Sequence, residues 1–446
     1  MIAAMNENRD EIKVVGAGLA GCEAAWQLAR RGFPVRLIEM KPERMTPAHK
    51  LPGPAELVCS NSLGSDMTGS AGALLKAELR TLDSVILRAA DATAVPAGSA
   101  LAVDREAMTN EVKRLLSTLQ NITWDHRELT ALPDTPAIIA TGPLTSEPMS
   151  DALAAISGEF LHFFDATSPI VSADSIDYSI VYAKSRYDKG DPDYLNCPMT
   201  RGQFDTFLSA LRAAELVTPH DFEDSAVFEG CMPIEQLAKR GDQTLVFGPL
   251  RPVGLRHPET LVTPYGVVQL RREDMAGGAY NLVGFQTRMT WTEQKRVFRL
   301  IPGLENAEFL RLGVMHRNTY LRSPELLDHT LSFKSHQHLK PAGQLTGVEG
   351  YVESTAMGMM AALFFADPQL STPPETTMLG ALLRHITEYE GAEFSPMAAN
   401  FGLLPPLEKK IGKKERKQAY HQRALEHLGE WIAASPGIQT PENSGG

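Results

Sequence analysis

Residues 12–40 read IKVVGAGLAGCEAAWQLARRGFPVRLIEM, and the reading of this stretch decides the fold. Ile12, Val14 and Val15 are apolar and partly β-branched, as a strand buried on both faces requires. Gly16-Ala17-Gly18-Leu19-Ala20-Gly21 then supplies G-x-G-x-x-G. Gly16 permits a tight turn, Gly18 lets backbone N–H groups approach a pyrophosphate, and Gly21 lets the following helix lie close to the strand. Ala20, Ala24, Ala25 and Leu28 form an apolar helix face, and the positive end of that helix points at the phosphates. Gly32 stops the helix. Val35 to Ile38 form the next strand, which ends in Glu39, about 18 residues after Gly21, where an acid holds a ribose hydroxyl. A lone glycine fingerprint is weak. Strand, helix and acid at these spacings together predict a dinucleotide site.

The 446 residues exceed one ordinary core, so two domains or more are expected. A composition of 43% hydrophobic and 22% charged residues fits a soluble globular protein. There is no apolar run of transmembrane length, and Met1 to Asp10 is too polar for a signal peptide, so no membrane partner is expected. Cys22, Cys59, Cys197 and Cys231 are widely spread with no C-x-x-C, which argues against a disulfide framework, a metal site and a dithiol reductase. A cytoplasmic location follows as the expectation. Net charge is −11, so a nucleic-acid surface must be a local basic patch.

Lys41 to Pro54 reads as a loop over the adenosine half of a dinucleotide. Glu56 to Gly64 (ELVCSNSLG) puts Cys59 among small hydrogen-bonding residues; by itself such a thiol reads more readily as a buried, inert one. Ala71 to Ala90 and Asp104 to Leu119 read as helices. Ala137 to Gly142 is a short strand ending in Thr-Gly, which resembles the strand that returns to the FAD sheet in two-dinucleotide-fold flavoproteins. From about Asp151 the pattern changes to short β-like runs (Phe160–Phe164, Ile170–Val171, Ile180–Tyr182), a helix over Met199–Ala214, and a strand pair, Val267–Arg271 with Tyr280–Phe285. The predicted class is α/β: a Rossmann-like FAD-binding domain of the two-dinucleotide-fold type with an inserted α+β substrate domain. The expected divisions are 11–150 for the first part of the FAD-binding domain, 151–314 for the insert, 315–432 for the closing part and 433–446 for a disordered tail.

Val227 to Glu235 (VFEGCMPIE) holds Cys231 between Gly230 and Pro233, which reads either as a thiol presented on a constrained turn or as an incidental loop thiol. Met315 to Leu321 (MHRNTYL) is dense in polar side chains and reads either as a ligand-facing segment or as a solvated strand edge. Gly343, Gln344, Gly347, Gly350 and Tyr351 precede an Ala/Met/Gly-rich helix, a second helix start able to face a cofactor. No second complete G-x-G-x-x-G follows, so no separate nicotinamide domain is evident. Lys409, Lys410, Lys413, Lys414, Arg416 and Lys417 crowd one late segment, which is a candidate surface for a phosphate backbone or else a solvated helix face.

GAGLAG (16–21), LVCSNSLGS (57–65), FEGCMPIE (228–235), GPLRPVGL (248–255), MHRNTYL (315–321) and GQLTGVEGYVES (343–354) together resemble the folate- and FAD-dependent tRNA (uracil-5-)-methyltransferases of bacteria. The glycine segments are shared with related, longer flavoproteins that modify wobble uridines. That activity, or an unrelated FAD-dependent oxidoreductase, is the alternative. The resemblance implies methylation of the tRNA T-loop uridine to ribothymidine, with 5,10-methylenetetrahydrofolate as carbon donor, reduced FAD as reductant and NADH or NADPH as electron source. It implies that Cys231 adds to uracil C6 and that Cys59 is its partner thiol, with the two roles open to exchange. A monomer is expected.

Overall fold

The computed structural model describes residues 9–46, 48–158, 161–188, 191–217, 232–391, 394–408 and 411–440, with backbone only at 161–165, 315–317, 413 and 414. Ile12–Val15 lies at the centre of a five-stranded sheet. Across that sheet the order is Leu339–Pro341, Ala137–Ile139, Ile12–Val15, Val35–Glu39 and Ile122–His126, and every pairing is parallel. Val14 stands opposite both Leu37 and Ile138. Burial on both faces explains why these strands are continuous apolar runs.

The glycine turn leads into the helix Leu19–Arg30, which lies against the late helix Tyr351–Ala366. The approach is close: a Cβ on Gly358 would come within 2.2 Å of the Ala20 carbonyl oxygen. The small-residue composition of the late helix therefore has a direct cause in contact with the glycine turn. The chain thus closes the parallel sheet with a strand and a helix some three hundred residues after opening it.

The excursion between these parts is a second unit. Leu161–Ala166 and Met315–Tyr320 pair antiparallel, carrying the chain out and back as a two-stranded ribbon. Beyond it lies a six-stranded sheet of antiparallel pairs. Its order is Tyr182–Ala183, Tyr194–Met199, Gly266–Arg272, Ala279–Leu282, Ile170–Ser172 and Phe309–Arg311. Phe204 and Phe207 of the helix Arg201–Ala213, together with Phe285 and Phe298, fill the core beneath it. The buried apolar residues form two main clusters, one from residues 12–153 and 321–438, the other from 171–307. The expected α/β class with an inserted α+β unit is what the chain adopts.

Three local expectations are corrected. The helix expected over Ala71–Ala90 is two helices, Ala71–Thr81 and Val85–Ala92. Asp83 takes a left-handed φ of 60° between them, and Ser84 caps the second by accepting the Leu87 N–H. Trp26 Nε1 and Gln27 Nε2 both donate to the Asp83 carbonyl, so the break is held by the first helix of the glycine motif. The β-run at Ile180–Tyr182 reduces to the strand Tyr182–Ala183. The tail expected from residue 433 is ordered as far as 440: Ser435 and Ile438 are buried, and Gln439 donates to the Arg30 carbonyl. Among the described residues, no helix is long and apolar enough to cross a membrane.

Candidate active site

The carboxyl ends of the parallel strands open into a cleft of about 1120 Å³, the position where open α/β sheets bind ligands. Gly16, Gly18, Leu19, Ala20, Glu39, Gly343, Gln344 and Tyr351 line it. The three motif glycines divide by cause. A Cβ on Gly16, which has φ 98°, would lie 2.4 Å from the Ala140 carbonyl oxygen, and one on Gly21 would lie 1.7 Å from the Gly16 carbonyl oxygen. Both are demanded by the protein's own backbone. Gly18 has nothing within 4 Å of its Cβ position. It faces the open cleft and, as N-cap of Leu19–Arg30, offers the first-turn N–H groups no side-chain acceptor. That is the arrangement a bound pyrophosphate uses.

Glu39 is nine-tenths buried at the cleft wall. Its Oε2 accepts the Ala17 N–H at 2.6 Å and its Oε1 the Lys41 N–H at 2.9 Å. The carboxylate therefore ties the glycine turn to the end of the second strand, and its remaining lone pairs are available to a ribose hydroxyl. Ala17 and Gly21 do not line the cleft; they shape the turn. Gly347 and Gly350 do not line it either. They adopt φ of 84° and 118° in the turn that leads into Tyr351–Ala366.

The sequence reading passed over Arg127, Glu128 and Leu129, and over Pro143 to Ser146 and Met149, all of which line the cleft. The signal was their position just after the strands Ile122–His126 and Ala137–Ile139. Lys41, Thr46 and His49 line it from the loop expected to cover a dinucleotide.

Cys59 sits at the rim. Its chain neighbour Val58 lines the cleft, and so does Tyr351, whose hydroxyl oxygen is 2.8 Å from the Cys59 Sγ. The same oxygen accepts the N–H groups of Cys59 (2.8 Å) and Ser60 (3.2 Å). Burial, then the neighbouring Cys59, pushes the Tyr351 phenol well above its usual range, so it stays protonated. Tyr351 thus meets both the cleft and the thiol, whereas the sequence reading gave it to the cofactor alone.

The inserted unit grips the same loop. Arg271 donates to the Ser60 hydroxyl at 2.7 Å and to the Asn61 amide oxygen at 3.0 Å. Asn61 returns a hydrogen bond to the Arg272 carbonyl, and Arg311 donates to the Val58 carbonyl at 2.7 Å. Arg105, from the helix Arg105–Leu116, pairs with Glu273 of the insert at 3.1 Å. The Cys59 loop is the seam between the two units.

Cys22 and Cys197 are fully buried thiols whose ionisation burial opposes, as packing residues. Cys231 lies outside the described residues, as do Lys409 and Lys410. The segment after Cys231 resumes at Met232, and Ile234 N–H donates to the Gln286 carbonyl within the insert. Lys413 and Lys414 begin the helix Lys413–Ala433, and Arg416 and Lys417 are exposed on it. Lys417 Cβ lies 3.8 Å from the Cβ position of Gly69, in the turn after the strand Ser62–Ser65 that continues the Cys59 loop. In MHRNTYL, Asn318 and Tyr320 are buried, and the Tyr320 ring lies against Phe394. The Tyr320 ring serves packing, while the buried Asn318 side-chain oxygen has no hydrogen-bond partner among the described residues.

A family model described as Glucose inhibited division protein A matches residues 11–371. The methylenetetrahydrofolate–tRNA-(uracil-5-)-methyltransferase TrmFO of Syntrophus aciditrophicus is 51% identical over 434 residues, covering 96% of this chain and 98% of that protein. Its namesake in Lactiplantibacillus plantarum is 52% identical over 423 residues, covering 94% and 96%. Among solved structures, GidA of Aquifex aeolicus superposes with a TM-score of 0.70 at 16% identity, covering 98% of this chain and 77% of that one. That last likeness is one of fold.

Proposed function

The chain belongs to the family of methylenetetrahydrofolate–tRNA-(uracil-5-)-methyltransferases, and from that membership we propose that it converts the T-loop uridine of tRNA to 5-methyluridine. The observation that carries the reading is the Cys59 sulfur at the rim of the cleft, held by Tyr351 and carried on a loop that residues of the insert also hold.

The cleft fits FAD. Gly18 leaves the space a pyrophosphate needs, the uncapped helix start supplies donors, and Glu39 stands where a ribose hydroxyl would meet it. Bound there, FAD supplies the two electrons that bring a carbon at the formaldehyde level to a methyl group. NADH or NADPH is the proposed electron source.

The chain's own task is to make uracil C5 a nucleophile. In our assignment the Cys231 thiolate adds to C6, forming an S–C6 bond and pushing the electron pair into an enolate. C5 then bonds to the one-carbon unit from methylenetetrahydrofolate. Cys59 takes the C5 proton as the bond from that carbon to the folate nitrogen breaks and tetrahydrofolate leaves with the electron pair; once the two electrons have reached the carbon, loss of the Cys231 thiolate restores the ring. Unstacking the uridine costs a few kcal/mol, which contacts from Arg416, Lys417 and their basic neighbours to T-arm phosphates offset. The reaction belongs in the cytoplasm, where thiols stay reduced.

The test is incubation of flavin-loaded protein with methylenetetrahydrofolate, NADPH and an unmodified T-arm transcript, with nucleoside analysis of the RNA. Cys231→Ala is expected to abolish ribothymidine while FAD remains bound. Wild-type levels of product from that variant would remove Cys231 from the nucleophile's role.

A further inference from the structure

We propose that Tyr351 is a positioning residue that holds the Cys59 sulfur and, by donating its hydroxyl hydrogen to it, favours the thiolate. The assignment of Cys59 to proton transfer rests on the function proposed above; the hydrogen-bond argument does not.

A neutral phenol oxygen has two acceptor sites and one hydrogen. In Tyr351 both acceptor sites are taken by the Cys59 and Ser60 N–H groups. The hydrogen then has the sulfur, 2.8 Å away, as the acceptor in reach. A sulfur that accepts is stabilised as the anion, because donation to a charged acceptor is about twice as strong as donation to a neutral one. The two amides also fix the oxygen, so the donor is aimed at Sγ before any proton moves. Position 351 is the first residue of the helix Tyr351–Ala366, whose packing on the glycine turn sets the ring's place.

The surrounding charges are of both signs. Arg271 reaches Ser60 and Asn61 from the insert, and Arg311 reaches Val58. Arg105 acts on Tyr351 and pairs with Glu273, while Glu56 and Glu273 act on Arg311. Arg105, Arg271 and Arg311 are thus answered by Glu56, Glu273 and Asp274, which leaves the hydrogen bond from Tyr351 as the contact that favours the anion. A group whose oxygen both anchors the loop and faces the sulfur couples the cofactor cleft to the thiol's readiness to take a proton.

The test reads Cys59 directly and needs neither tRNA nor folate. In a Cys231→Ala background, where Cys22 and Cys197 are shielded, iodoacetamide alkylation of Cys59 is followed by peptide mass as a function of pH. Tyr351→Phe is expected to slow alkylation at pH 7 by about 10- to 100-fold and to move the profile to higher pH. Replacing Tyr351 with 3-fluorotyrosine keeps the oxygen that anchors the two amides but makes it a stronger donor, and is expected to move the profile to lower pH. If Tyr351→Phe does not fold, the fluorotyrosine variant alone decides. A pH profile that is the same for tyrosine and fluorotyrosine would overturn the proposal. A shifted profile in a protein that makes no ribothymidine would uphold it and refute the functional reading.

Discussion

The glycine turn at 16–21 and the Cys59 loop at 57–62 share one cleft and are built by opposite means. The turn is fixed by main chain of its own sheet: Gly21 is glycine because of the Gly16 carbonyl within the turn, and Gly16 because of the Ala140 carbonyl just past the neighbouring strand. The Cys59 loop is fixed from far away. Tyr351 is 292 residues distant, and Arg271 and Arg311 belong to the insert. An element set by the backbone of one unit can form with that unit and wait for its ligand. An element held by distant side chains is set only when both units are folded and joined, so its chemistry is coupled to their packing.

That contrast can be broken at the turn itself. Gly21→Ala is expected to cost about 4–5 kcal/mol and to remove most folded protein, because the added carbon would fall 1.7 Å from a carbonyl oxygen. Gly18→Ala should leave thermal unfolding of the apoprotein within about 0.5 kcal/mol of wild type yet release the flavin. Unfolding midpoints and flavin absorbance check both; equal damage from the two changes would erase the distinction between backbone-required and ligand-required glycines.

At the seam, Arg271→Met leaves the Asn61 amide oxygen without its Arg271 donor and the Ser60 hydroxyl with only the Ser62 N–H of its two donors. Methylation is expected to fall on the order of 100-fold, equivalent to about 3 kcal/mol, with flavin still bound. Steady-state rates beside the visible spectrum would show it. An undiminished rate would mean that the insert does not set the Cys59 loop.

A pH effect sharpens the comparison from the other side. Glu23, in the first helix, is fully buried, and burial raises its carboxyl to about 7 despite hydrogen bonds from Ser84 and Gln27. The folded state therefore favours the protonated form. The stability this adds is fully present below pH ~4.5 and is lost as pH rises through about 7. Relative to Glu23→Gln, the wild type should lose roughly 2 kcal/mol between pH 5 and pH 8, seen in paired denaturation curves. The smallest effect is expected at the late helix. Arg416→Glu with Lys417→Glu should weaken T-arm binding by about 1 kcal/mol and flatten its salt dependence by one to two phosphate contacts in a binding titration.

What could be read from the chain follows the same division. The strand, turn, helix and second strand at 12–39 obey short-range rules, and so the fold class was legible there. The break at Asp83 was less so, although Asp-Ser before Val85 is a cap signal that helical periodicity obscured. Glu39 was found by spacing, but its grip on the Ala17 N–H was not, because a sequence does not show which donor a carboxylate meets. Tyr351 was placed at the cleft; its bond to Cys59 depends on how two helices pack. Arg271 carried no signal at all, since a strand arginine looks solvated until a second unit covers it.

The central claim is that a folate carbon, set by reduction, becomes the methyl group of a tRNA uridine. The direct measurement uses methylenetetrahydrofolate deuterated at the transferred carbon, NADPH, the flavin-loaded protein and an unmodified T-arm transcript, with mass spectrometry of the released nucleosides. The account predicts ribothymidine that retains both deuterium atoms. Ribothymidine without deuterium, or unmodified uridine beside a flavin that NADPH has reduced, would contradict it.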